Sequence, residues 1–97
     1  MKIPKIILKP HKTEESKKLK FGFEEYENYV GKDFQLGGEP KWIQEEDWPI
    51  CKSCGEKMTF YAQLDSINDD YRIGDCGLVY VFICFNCLES KSIVQSY

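Results

Sequence analysis

Two pairs of cysteines carry the clearest chemical signal in this sequence of 97 residues. Both pairs have the spacing Cys-x-x-Cys, with 29 residues between them: Cys51 and Cys54, then Cys84 and Cys87. A tight turn over such a pair aims both sulfurs at one point, and four thiolates form the soft, tetrahedral ligand set that Zn²⁺ prefers. We therefore predict one zinc ion per chain, bound by all four cysteines. An iron centre, or cysteines that are reduced or disulfide-linked, are the alternatives.

Each cysteine pair, together with the residue that follows it, forms what we call a knuckle: the first spans residues 51–55 and the second residues 84–88. Gly55 suits the first knuckle, because the residue after such a pair often takes a positive φ that glycine adopts at little cost. A shell of four thiolates leaves no open position for a substrate, so we predict a structural ion. The single histidine, His11, lies far from the cysteines in sequence, and no phosphate-binding glycine loop is present. The sequence thus predicts a protein that is not an enzyme.

The fifth cysteine, Cys76, lies in the sequence Gly-Asp-Cys-Gly at residues 74–77. It can be interpreted as a redox-sensitive thiol or as a small residue in a turn. We favour the turn residue, since the sequence supplies no neighbouring base or cation that would activate the thiol.

Three strands are predicted around the knuckles. Residues 58–65 alternate between apolar and polar side chains, residues 77–85 are rich in β-branched and aromatic types, and residues 90–97 favour a final strand. The first strand leaves the first knuckle and the second strand arrives at the second knuckle, which is the arrangement of a zinc ribbon. We therefore predict one domain over residues 1–97 that is mainly β with a small α content, an antiparallel sheet with a zinc ribbon-like hairpin.

The signals outside these strands are weaker. Residues 6–8 predict an edge strand, and residues 19–30 predict a strand that runs into a helical turn. Residues 32–50 are punctuated by glycine and proline and predict a long irregular segment, while residues 68–70 predict a turn.

Charge divides the chain into a basic N-terminal segment and an acidic body. Residues 1–20 contain seven lysines and two glutamates, about +5, whereas the other 77 residues hold six basic and fourteen acidic side chains, about −8. An acidic body repels nucleic-acid phosphates and attracts basic partners. No apolar run approaches the roughly 20 residues that a membrane span needs. Because no signal-peptide pattern is found either, we predict a cytoplasmic protein, in which paired cysteines indicate metal binding.

The segment 37–49 is the best candidate for a partner-binding surface. It contains two tryptophans that flank three acidic residues, namely Trp42, Glu45, Glu46, Asp47 and Trp48. Large aromatic side chains are typical anchors of protein interfaces, and the acids would suit a basic partner. The alternative, which we favour for the tryptophans, is that both indoles cover the core of the zinc hairpin.

Within residues 34–97, several stretches together carry a resemblance to known families. They are residues 36–44, 48–58 and 60–64, then Gly74, Asp75 and Gly77, and finally residues 79–84 and 95–97. These stretches resemble the C-terminal half of the YwqG-like bacterial domain family, whose function is unknown, and this resemblance implies a β-rich fold. They are also similar, more distantly, to the C-terminal domain of the eukaryotic programmed cell death two proteins, which implies a protein-binding role as an escort of a ribosomal protein, with structural zinc ligands.

These observations predict a small zinc-binding module that acts by binding another protein, of an immunity or escort type. A nucleic-acid-binding zinc ribbon that uses the lysine-rich residues 2–20 is the alternative.

Overall fold

The computed structural model describes residues 1–18, 33–67 and 71–97, and these residues build a single antiparallel sheet. Its five strands follow one another in sequence order across the sheet: β1 (Ile6–Ile7), β2 (Gln35–Leu36), β3 (Thr59–Asp65), β4 (Leu78–Cys84) and β5 (Glu89–Gln95). No α-helix occurs within these three described ranges. The prediction of a mainly β, antiparallel fold is therefore confirmed.

The strands match most of the sequence prediction. The three predicted long strands are β3, β4 and β5, with ends that differ by at most two residues, and β1 lies within the predicted edge strand. The prediction of an irregular segment over residues 32–50 is wrong at β2, which pairs with both β1 and β3. The predictions for residues 19–30 and 68–70 lie outside the described residues. Among the described residues, no helix has the length and apolarity that a membrane span requires.

A β-bulge changes which side chains of β3 are buried. Phe60 pairs with Phe82 of β4, but Ala62 pairs with Val81, so Tyr61 is an extra residue in the ladder. The alternation of the sequence predicts that Leu64 shares the buried face, but Leu64 is exposed. Gln63 and Asp65 are buried instead, because the bulge reverses the side to which later side chains point.

The sheet has two unlike faces, which are clearest on the central strand β4. One face carries Leu78, Tyr80, Phe82 and Cys84, all of which are buried. These side chains form the core together with Cys51, Met58 and Phe60, so two of the candidate metal ligands belong to the core itself. We call this the core face of the sheet.

Residues 41–48, here called the tryptophan loop, cover the core face. The indole of Trp42 stacks on Phe82 with ring centroids 6.0 Å apart and lies 5.1 Å from Tyr80. Trp48 meets Phe82 edge-on at 5.5 Å. The interpretation that both indoles cover the hairpin core is therefore confirmed.

Buried side chains of the sheet hold the backbone of this loop in place. Gln63 Oε1 accepts a hydrogen bond from the Lys41 amide at 2.9 Å, and the Tyr80 hydroxyl donates to the Lys41 carbonyl at 2.7 Å. Gln95 makes three bonds: it accepts from the Ile43 and Gln44 amides at 3.1 and 3.0 Å and donates to the Glu45 carbonyl at 2.8 Å. An irregular loop is thus fixed by polar groups from three strands.

We expect Gln95→Leu to lower the free energy of unfolding by about 2 kcal/mol. The leucine fills a similar volume but removes the side-chain partner of the Gln44 amide and the Glu45 carbonyl, while the Ile43 amide keeps its bond to the Tyr80 hydroxyl. Urea denaturation of the two proteins measures the difference. Ser92→Ala, an exposed change on the same strand, is the control and should shift stability by less than about 0.5 kcal/mol. A Gln95→Leu protein as stable as the control would contradict this role for the amide.

Candidate metal centre

The first knuckle is a turn closed by backbone hydrogen bonds. The Cys51 amide donates to the Glu56 carbonyl and the Gly55 amide donates to the Cys51 carbonyl, both at 2.8 Å. Gly55 has a φ of 77°, in the left-handed region, which confirms the expectation drawn from its position. An antiparallel bridge between Ile50 and Lys57 holds the base of the turn, and β3 begins two residues later.

The second knuckle repeats this turn between two strands. β4 ends at Cys84, the Leu88 amide donates to the Cys84 carbonyl at 2.7 Å, and β5 begins at Glu89. Leu88 occupies the position of Gly55 and also has a positive φ, of 57°. Leu88 is 81% exposed, so its apolar side chain packs against little of the protein. The positive φ of a bulky residue is uncommon.

Pairing of β3 with β4 brings the two knuckles together. Thr59, near the first knuckle, lies opposite Ile83, which precedes the second knuckle. The four cysteine sulfurs consequently all lie within 4.8 Å of one another, and Cys54 Sγ is 3.7 Å from Cys84 Sγ. In a tetrahedral site with metal–sulfur bonds of about 2.3 Å, neighbouring sulfurs are about 3.8 Å apart. The cluster therefore has the ligand set and nearly the dimensions of a metal site, and it can hold one ion.

The two thiols of the second knuckle differ in acidity. The pKa of Cys84 is lowered to about 7, mainly by a hydrogen bond from the backbone amide of Cys87. A side-chain hydrogen bond with Cys54 is the main cause that raises the pKa of Cys87 to about 12. Cys84 therefore loses its proton at a lower pH than Cys87, and the negative charge on one sulfur opposes the ionisation of its neighbour. A cation at the centre would displace the thiol protons.

Glu89 is a neighbour of the cluster that the sequence analysis missed. The Cys51 thiol donates to Glu89 Oε2 at 3.2 Å, and the Ser53 hydroxyl donates to Oε1 at 2.5 Å. The bond from Ser53 is the main cause that lowers the pKa of Glu89. Two signals could have found this residue: its place just after the second knuckle, and the cross-strand pair that it forms with Cys84.

The other predicted site residues lie away from the cysteines. Trp42 and Trp48 are partly buried against the core, whereas the three acids between them, Glu45, Glu46 and Asp47, are exposed. His11 is also exposed. No residue besides the four cysteines joins the metal-ligand cluster in the described ranges.

Cys76 lies in a turn and is half-buried, as the sequence analysis favoured. The expectation that it has no cation nearby is wrong, because Arg72 Nη1 lies 3.9 Å from its sulfur. This contact depends on the folded turn, which brings two residues four positions apart together.

Fold and site together define the protein as a small antiparallel β domain whose paired cysteines form a cluster able to bind a metal. A search of curated proteins finds YpfL, an uncharacterized protein of Salmonella typhimurium, which is 42% identical to this chain over 61 residues. The match covers 63% of this chain and 14% of YpfL, so the chain spans about one seventh of that relative's length. No protein-family model matches the chain, and no solved structure matches it either.

We expect opposite effects from exchanging the residues that end the two knuckles. A Cβ at position 55 would meet no atom within 4 Å, so Gly55→Ala costs only its positive φ, about 1 kcal/mol of stability. Leu88→Gly removes the same strain but adds flexibility to the unfolded chain, and should raise stability by about 0.5 kcal/mol. Thermal or urea unfolding at fixed metal content measures both. A stabilising Gly55→Ala would show that the turn geometry is not as described.

Proposed function

We propose that the chain is a structural zinc protein with one Zn²⁺ bound by Cys51, Cys54, Cys84 and Cys87. The observation that carries this proposal is the convergence of four sulfurs within 4.8 Å, with one pair at 3.7 Å. Four thiolates suit Zn²⁺ and give a closed tetrahedral shell. Two of the sulfurs come from the buried core, so the ion would tie the core to both knuckles.

We further propose that this protein is not an enzyme. A catalytic zinc ion usually has three protein ligands and an open position for water or substrate, together with a nearby acid or base. Four cysteines would occupy every position of a tetrahedral ion. The proposed role of the metal is therefore to stabilise the fold.

We propose that the exposed surface of the tryptophan loop binds another protein of basic character. Three consecutive acids, Glu45, Glu46 and Asp47, are exposed on a loop whose backbone is fixed by Gln95 and Tyr80. A fixed loop loses little conformational freedom on binding, which favours affinity. The acidic charge of the body would attract and orient a basic partner. The resemblance of residues 34–97 to escort proteins implies the same class of role.

The lysine-rich N-terminal segment gives the nucleic-acid alternative less support. Two of its lysines already form ion pairs with carboxylates, Lys2 with Glu39 and Lys17 with Glu14. A nucleic acid would have to compete with these contacts and approach an acidic body. We therefore keep protein binding as the proposed function.

The zinc proposal predicts one zinc per purified chain by elemental analysis. A chelator should unfold the domain, because binding energies of about 10 kcal/mol for such sites match the whole stability of a small domain. Cys51→Ser and Cys84→Ser should lose the metal, while Cys76→Ser is the control and should keep it. Lowering the pH should release zinc, since protons compete for the thiolates. A chain that folds fully without metal, or that keeps zinc in both ligand variants, would contradict the proposal.

The partner proposal is tested by charge reversal, because truncating either tryptophan would also damage the core. We expect the triple variant Glu45→Lys, Glu46→Lys, Asp47→Lys to stay folded and to lose basic proteins that co-purify with the wild type. The control is the double reversal Glu14→Lys, Glu15→Lys, at exposed positions of the N-terminal segment, which changes the net charge by two units for each of two residues instead of three. Quantitative pull-downs at two salt concentrations measure the difference. Equal recovery of partners by the wild type and the triple variant would argue against this loop as the contact.

A further inference from the structure

The side chain of Glu89 bridges the two knuckles. Glu89 begins β5, directly after the second knuckle, and pairs with Cys84 across the strands. Both of its carboxylate oxygens nevertheless accept hydrogen bonds from the first knuckle: Oε1 from the Ser53 hydroxyl at 2.5 Å and Oε2 from the Cys51 thiol at 3.2 Å. A carboxylate is therefore held in contact with one of the four sulfurs.

The charge of Glu89 opposes the charge that a metal-loaded cluster would carry. Four neutral thiols have no net charge, whereas four thiolates together with one Zn²⁺ have a net charge of about −2. A carboxylate oxygen 3.2 Å from the sulfur of Cys51 adds a like charge at contact distance. Like charges so close disfavour the metal-loaded state relative to the metal-free one.

The hydrogen bonds of Glu89 act in the same direction. The thiol hydrogen that bonds Oε2 is absent once the sulfur of Cys51 is a metal ligand, so this bond favours the metal-free cluster. Ser53 is not a ligand, and its bond to Oε1 is compatible with either state. Lys52 also lowers the pKa of Glu89, but less than the bonds from Ser53 and Cys51 do, so its positive charge offsets only part of the effect.

We propose that Glu89 lowers the zinc affinity of the cluster below that of the same four cysteines without a neighbouring carboxylate. This role rests on the zinc site proposed above. It makes the ion easier for a competing ligand to remove. A residue that only braced the two knuckles through Ser53 would have the opposite effect, because its replacement would weaken zinc binding or leave it unchanged.

Competition between the full chain and a chromophoric chelator for zinc measures the dissociation constant. Glu89→Gln keeps the size of the side chain and an oxygen that can accept from Ser53, but it removes the charge. We expect this variant to bind zinc about tenfold more tightly than the wild type, the order of effect for a like charge at contact distance near the surface.

Glu56→Gln is the matched control. It makes the same change at an exposed residue just after the first knuckle, whose side chain forms no hydrogen bond with a cysteine sulfur in the described part of the chain. Its dissociation constant should differ from that of the wild type by less than about threefold.

Glu89→Ala is a second variant, because it removes the charge together with the acceptor for Ser53. It should also bind zinc more tightly than the wild type, by a smaller factor than Glu89→Gln. If the wild type binds one zinc and neither variant binds it more tightly, the role of Glu89 is overturned while the zinc site stands. A wild-type chain that binds no zinc would instead overturn the site itself, and this inference with it.

Discussion

The convergence of four cysteine sulfurs at one end of the β3–β4 pair is the constraint on which the rest of the structure depends. The first knuckle leads directly into β3 and the second follows directly from β4, so the antiparallel register of two strands sets the distance between the sulfurs. Cys51 and Cys84 are at once members of the buried core and of the cluster. These two residues therefore link the packing of the core to the geometry of the cysteine cluster.

The tryptophan loop extends the same unit over the core face. Its indoles pack on Phe82, and its backbone is bound by the amides of Gln63 and Gln95, so it has a defined path without regular hydrogen-bonded structure. Lys57, which follows the first knuckle, lies with its ammonium 4.4 Å from the centroid of the Trp48 ring and links knuckle to loop. Direct contacts thus connect the hairpin, the cysteine cluster and the tryptophan loop.

Local patterns in the sequence predicted the three long strands and the four-cysteine cluster, because each depends on the spacing of a few neighbouring residues. β2 was missed since it has only two residues, and its strand character comes from pairing with partners far away in sequence. The bulge at Tyr61 was missed for a related reason: it arises from the match between two strands, and it alone exposes Leu64 and buries Asp65. Glu89 reaches Cys51 only through the folded hairpin, so no single segment predicts that contact.

X-ray absorption at the zinc edge of the metal-loaded chain tests the central claim most directly, because it reports the kind, number and distance of the ligands. The account predicts a first shell of four sulfurs at about 2.3 Å with no nitrogen or oxygen ligand. Fewer than four sulfurs, or a nitrogen or oxygen atom in the first shell, would contradict a closed structural site and would reopen the possibility of catalytic zinc.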